Sequence, residues 1–318
     1  MSTEGGTKAV IAALLANTGI AVTKFVAAAI SGSASMLAEG VHSVADAGNQ
    51  VLLLVGGKRA KKAADEEHPF GYGRERYVFA FVVAIILFSV GGMFSLYEGI
   101  HKLEAHEELN LPWIPLAVLA VAIALESFSL RTALVEANKT RGPESLVSFI
   151  RHAKQPELPV ILLEDIAALL GLVFAFAGVS LSLLTGDVIW DAIGTIAIGV
   201  LLIVVAVVLG IETKSLLVGE GATRADTAKI RAAFEGHQNV EAIIHMKTLY
   251  LGPDELMVAA KIAVPKTTKA VEIARAINEV EVAVREAVPV ARVIYIEPDI
   301  YVASSNTSTD AIVIQSHD

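Results

Sequence analysis

Apolar residues in this chain come in runs longer than a strand or an ordinary core helix needs. Six windows, at about residues 9–30, 34–57, 77–99, 112–136, 159–184 and 188–211, each approach the roughly 20 residues that cross a bilayer core. They predict a membrane α-helical bundle of six spans. From about residue 213 the pattern changes. RADTAKIRAAFEGH has the spacing of an amphipathic helix, and VEAIIHMKTLYL and ELMVAAKIAVP read as strands across a GPD turn. TTKAVEIARAINEVEVAVREAV predicts a second helix with Thr267 or Thr268 as N-cap, and ARVIYIEP a third strand. The order αββαβ is that of a small two-layer α+β domain. The expected organisation is an N-terminal segment over 1–8, a transmembrane domain over 9–211, the αββαβ domain over 212–301 and a flexible tail over 302–318. MSTEGGTK has no basic region leading to a cleavage site, so the first run is expected to be a retained span.

One window breaks the apolar pattern in an ordered way. Residues 36–55 carry Glu39, His42, Asp46 and Asn49, which fall within a stripe about 80° wide on a helix. Lipid penalises each of them, so the stripe must face a bundle or a wet cavity, and an intramembrane ionisable residue is by default a functional candidate. His42 and Asp46, four residues apart, can aim an imidazole nitrogen and a carboxylate oxygen at one divalent cation. Span 5 adds Glu164 and Asp165 inside its apolar run, so Asp165 joins the candidate metal set. The alternative is a polar pair that holds helices together. Lys24 in span 1, which also holds Asn17, reads as a snorkelling side chain or as part of a transport path. Glu126 in span 4 is either hydrogen-bonded to neighbouring helices or a proton carrier. Asp191 is expected in water at the end of span 6, and GGMFSLYEGIHKL carries small residues suited to close helix contact.

Composition supports the membrane reading: 54% of residues are hydrophobic and mean hydropathy is +0.60. With no cysteine, a transition metal must be held by His, Asp, Glu, Asn or backbone. A net charge of −9 argues against a nucleic-acid partner. Basic residues gather after span 2 (Lys58, Arg59, Lys61, Lys62, Arg74, Arg76) and after span 4 (Arg131, Lys139, Arg141, Arg151, Lys154). SGSAS and LLTGD have none, and the loop after span 3 has only Lys102. The positive-inside rule then places both termini in the cytoplasm, in what is expected to be a bacterial plasma membrane.

The stretches AEGVHSVADAGNQ, DEEHPFGYGRER, LLEDIAALLG and IYIEP together resemble the cation diffusion facilitator family, the zinc-transporter-type metal/proton antiporters. The similarity runs from about residue 8 to 300, and ESFSLRTAL with LLEDIAALLG is similar to the zinc transporter nine branch. The resemblance implies six spans, a homodimer, a cytoplasmic ferredoxin-like domain and export of divalent metal against inward proton flow. It implies a transport site of two ligands on span 2 and two on span 5. His42, Asp46 and Asp165 match, but Ile161 stands at the fourth position. Glu164, about 60° around the helix from Ile161, is the favoured replacement; Asn49 or a water is the alternative, with Glu39 and Asn49 in support. In the loop, Asp65 and His68 match a family metal site while Tyr72 replaces its second histidine; an ordinary turn shaped by Pro69, Gly71 and Gly73 is the competing reading. In the C-terminal domain Lys261 and Tyr295 stand where strand histidines would be, and only His245 remains. No metal is expected there, and dimerisation would rest on packing. His237 is expected as a solvated helix-end residue.

The function expected from this set is alternating-access export of zinc in exchange for protons. Asp65, Glu66 and Glu67 guide the ion in, and deprotonated His42, Asp46 and Asp165 bind it. Protons then compete for the same three groups, imidazole being the natural competitor near neutral pH. No cofactor is implied, since zinc is the transported substrate; cobalt, ferrous iron and manganese are alternatives. A non-transporting membrane docking or regulatory protein is the rival of another class. No HExxH stretch or catalytic residue supports an intramembrane enzyme.

Overall fold

The computed structural model describes residues 18–105, 111, 113–142 and 145–300. The expected N-terminal segment, the start of the first span with Asn17, and the expected tail lie outside the described residues. The chain divides into two compact units, one helical, the other made of Ala64–Arg74 and the chain from Val218 onward.

The helical unit contains α1 (Thr18–Ser31), α2 (Ala34–Arg59), α3 (Glu75–Ile86), a π-helical stretch (Leu87–Met93) and α4 (Phe94–Ala105). It continues with α5 (Trp113–Arg141), α6 (Leu146–His152), α7 (Glu157–Thr185) and α8 (Ile189–Val218). Four helices among the described residues are long and apolar enough to cross a membrane: Glu75–Glu104, Trp113–Lys139, Glu157–Thr185 and Ile189–Val218. The first joins α3, the π stretch and α4. Helix α2 has the length, 26 residues, but its polar stripe dilutes its apolar character. Apolar side chains such as Val121, Phe128, Val204 and Val207 stand exposed on the helix surfaces, as a lipid-facing exterior requires. Arg131 and Lys139, expected in a connection, lie on α5, which runs on to Arg141, and α6 occupies part of the stretch that follows.

Small residues set the closest helix contacts, as the GGMFSLYEGIHKL stretch suggested. A Cβ on Gly99 would come within 3.0 Å of the Ile196 backbone nitrogen, and one on Gly199 within 2.7 Å of that of Leu96. Gly178 of α7 and Gly194 of α8 make a second such seam.

The turn between α1 and α2 corrects the expectation for Asp191. That residue is wholly buried and caps α2. Its carboxylate accepts from the Ala34 N–H at 2.8 Å, from the Ser33 hydroxyl at 2.9 Å and from the Ser35 hydroxyl. The first N–H groups of a helix have no internal partner, and a carboxylate from another helix supplies one here. Lys102 donates to the Gly32 carbonyl at 2.9 Å on the same turn.

The second unit has the predicted αββαβ order: α9 (Arg224–Glu235), β1 (Ala242–Gly252), β2 (Glu255–Ala263), α10 (Ala270–Ala287) and β3 (Ala291–Asp299). The sheet order is β1-β2-β3, with β1 antiparallel and β3 parallel to the central β2. Alternation along β2 buries Leu256, Val258, Ala260 and Ile262 in a core with Ile230 and Phe234 of α9 and Val280 and Val284 of α10. The N-cap of α10 is Lys269 rather than Thr267 or Thr268. Thr268 still belongs to a turn, donating its N–H to the Pro265 carbonyl, and the Lys269 N–H is met by the Glu272 carboxylate at 3.2 Å.

Candidate metal site in the helical bundle

The stripe on α2 faces inward, as its composition demanded. Glu39, His42 and Asn49 are buried and Asp46 is nearly so. Asp46 opens onto a cavity of about 80 Å³ shared with Glu126 and Ser129 of α5 and with Ile161, Glu164 and Asp165 of α7. Four carboxylates from three helices therefore meet around one small space.

Within that group the contacts are specific. His42 Nε2 lies 3.5 Å from Asp46 Oδ2, too far for a good hydrogen bond, and neither imidazole nitrogen has a hydrogen-bond partner among the described residues. Asn49 donates to Glu164 at 2.7 Å, so it orients the carboxylate that the sequence favoured as fourth ligand. Ser129 donates to Asp165 at 3.2 Å. Ile161 lines the same cavity and offers no donor atom. Among the described residues, no three His, Asp or Glu side chains already converge on a single metal-binding point.

The remaining members of the stripe depart from expectation. Lys24 is not a snorkelling side chain: it is 1% exposed, 2.9 Å from Glu39 Oε2 and 2.8 Å from Ser43 Oγ. Glu39 is thus engaged by an ammonium rather than turned toward Asp46. Sequence reasoning missed Ser129 and gave Glu126 two readings. The signal was their i,i+3 spacing, which puts both on one face of α5.

Asp65 and His68 do come together in the loop, at 3.5 Å between Nδ1 and Oδ1. Both Asp65 oxygens accept protein hydrogen bonds, from the His68 N–H at 2.8 Å and the Tyr72 hydroxyl at 2.7 Å. Tyr72 thus closes the turn at the position where the family resemblance implied a second histidine.

In the C-terminal sheet, Lys261 faces His245 across the β1–β2 pairing and bridges Glu297 at 3.0 Å and Asp299 at 2.9 Å. The hydrogen bonds it gives to those carboxylates raise its pKa, and its own bond holds Asp299 below the usual carboxylate range. An ammonium stands where the family resemblance implied a strand histidine. His237 is not merely solvated. Its Nδ1 accepts from the Asn239 N–H at 3.3 Å, which leaves the proton on Nε2, 2.8 Å from Glu279 of α10.

Comparison with known proteins agrees with this layout. The proton-coupled zinc antiporter SLC30A9, mitochondrial, of Xenopus laevis is 29% identical over 264 residues, 82% of this chain and 47% of that protein. Its Homo sapiens counterpart is 28% identical over 261 residues, 81% of this chain and 46% of that one. Metal tolerance protein C4 of Arabidopsis thaliana is 30% identical over 257 residues, 80% of this chain and 56% of that protein. The chain spans about half the length of these relatives. Residues 10–218 match the cation efflux transmembrane domain, a stretch that takes in all the described helices of the bundle. The chain belongs to the cation efflux, or cation diffusion facilitator, family, near the SLC30A9 branch.

Proposed function

We propose that this chain is a secondary transporter that exports a divalent transition metal, zinc by preference, in exchange for protons. The observation that carries the reading is the meeting of Asp46, Glu126, Glu164 and Asp165 around one cavity, with His42 one turn from Asp46. So many carboxylates in an apolar bundle repel one another unless a cation or protons join them. His42, Asp46 and Asp165 are the metal ligands in this reading, with Glu164, oriented by Asn49, as the fourth. The same three groups exchange metal for protons, because a ligand must lose its proton to coordinate. The names of the relatives, a proton-coupled zinc antiporter among them, support zinc and proton exchange. Imidazole among carboxylates also suits cobalt and ferrous iron, and manganese less well.

The proposal extends to six spans, with α1 and α2 as the first two, to a homodimer, and to cytoplasmic termini. The acidic run Asp65, Glu66 and Glu67 guides incoming ions in this reading, and Asp65 with His68 holds none, since both Asp65 oxygens already accept hydrogen bonds within their turn. A bacterial plasma membrane and the mitochondrial setting named for the relatives remain alternative locations. A non-transporting docking protein is the second reading, favoured by the absence of three converged ligands among the described residues.

Metal-driven proton movement in proteoliposomes tests the proposal, with zinc, cobalt, ferrous iron and manganese run in parallel. Wild-type flux is expected to rise with an opposing proton gradient and to fall at least about 100-fold in Asp46→Ala and Asp165→Ala, since loss of one ligand typically removes several kcal/mol of binding. Folded protein with no flux for any of the four metals would favour the docking reading.

A further inference from the structure

The Lys24–Glu39 pair is the feature of the bundle that the transport site does not use. Lys24 comes from α1 and is buried to 1% exposure; Glu39 is buried completely. The ammonium donates to one Glu39 oxygen at 2.9 Å and to the Ser43 hydroxyl at 2.8 Å. The other oxygen, Glu39 Oε1, has no hydrogen-bond partner among the described residues, and neither has either His42 nitrogen. Space for that oxygen exists because residue 171 on α7 is glycine: a Cβ there would lie 2.7 Å from it. Glu39, His42 and Ser43 are successive positions on one face of α2, so their polar groups lie within one helical turn.

Distance along the helix separates this cluster from the carboxylates at the cavity. Glu39 and Asp46 are seven residues apart, a rise of about 10 Å, too far for one ion to touch both. Glu39 and His42 are only about 4.5 Å apart along the axis. His42 stands between the two groups and can serve either.

We propose that Glu39, Ser43 and His42 form a second station for the transported divalent cation, and that the Lys24 ammonium competes with that cation for it. This inference rests on reading the bundle as a cation transporter. The ammonium is a tethered cation that holds the station in the structure described. A dication arriving from Asp46 and Asp165 displaces it, taking Glu39 and His42 as ligands. The returning ammonium then displaces the dication onward. Passage needs sites strong enough to admit an ion and weak enough to release it, and a resident competitor supplies the release.

The test is zinc binding to the purified full-length protein in detergent, by equilibrium dialysis with elemental analysis. Wild type and Lys24→Arg are expected to bind one zinc per protomer; Lys24→Met two, one on Glu39, Ser43 and His42 and the other on Asp46, Glu164 and Asp165; and the double variant Lys24→Met/Glu39→Gln one again. In proteoliposomes Lys24→Met is expected to lower KM and to lower kcat at least 10-fold, a split that simple loss of folding would not give. Equal stoichiometry in folded wild type and Lys24→Met would overturn the station. If Lys24→Met folds only with zinc present, that rescue supports it. If zinc does not rescue the single variant while the double variant folds, the station is wrong. Asp46→Ala separates the two readings: in the Lys24→Met/Asp46→Ala protein one zinc should remain, held at the second station. If wild type binds none and Lys24→Met binds one, the transport-site assignment fails and the station stands.

Discussion

Asp191 shows how one residue can change meaning between sequence and structure. At a span end it reads as a wetted carboxylate, yet it is buried and accepts from three groups at the start of α2. Replacing it by alanine leaves the Ala34 N–H and two serine hydroxyls without that acceptor. The expected cost is about 2–4 kcal/mol, from a lost cap and unmet buried donors. A thermal unfolding midpoint for Asp191→Ala within a degree of wild type would show that water replaces the carboxylate easily. Lys24 is a similar case. From sequence its choices were a snorkelling side chain or the transport path, and only the partner on α2 distinguishes them.

Helices here are arranged by what their side chains leave out. Gly199 lets α8 approach within van der Waals contact of the backbone of α4, so a methyl group would collide with Leu96 N at 2.7 Å. Gly199→Ala is expected to destabilise the bundle by about 1–3 kcal/mol through overpacking. Gly210 on the same helix has nothing within 4 Å of where a Cβ would lie, so Gly210→Ala should be neutral or slightly stabilising. Equal unfolding midpoints for the two variants would remove the close-contact account. The π-helical stretch Leu87–Met93 had no counterpart in the sequence reading. It changes the hydrogen-bond step, not the apolar pattern, and periodicity does not register that.

For the whole molecule, the two units rely on different sources of charge neutralisation. Carboxylates in the bundle surround a cavity, whereas the C-terminal sheet has Lys261 already bridging Glu297 and Asp299. Asp299 has a lowered pKa, so its contribution is present above the ordinary carboxylate range and lost as pH falls through the lowered value. Lys261 has a raised pKa, so its contribution is present below the ordinary lysine value and lost as pH rises through the raised one. Between about pH 5 and 9 both are charged, and the bridge is constant. Amide exchange of β2 and β3 in the full chain, corrected for its intrinsic pH dependence, should be flat across that window and unchanged by chelator. Protection that falls when chelator is added would mean that this sheet holds a metal after all.

Sequence alone determined the helical membrane character, the αββαβ order and the polar face of α2, because each is a periodic property of consecutive residues and the bilayer or core that selects it is uniform. It also singled out His42, Asp46 and Asp165 as candidates, the four-residue spacing of the first two putting them on one face of α2. Tertiary structure decided which of those groups meet which. Glu126 and Ser129 join the cavity because α5 packs against α7, and Glu39 is taken by Lys24 because α1 lies beside α2. The start of α2 is secured across the bundle as well: an isolated stretch shows which residues can cap it, but not that Asp191, 157 positions from Ala34, will do so. Pairings between distant elements depend on helix rotation and depth, and no local pattern carries either.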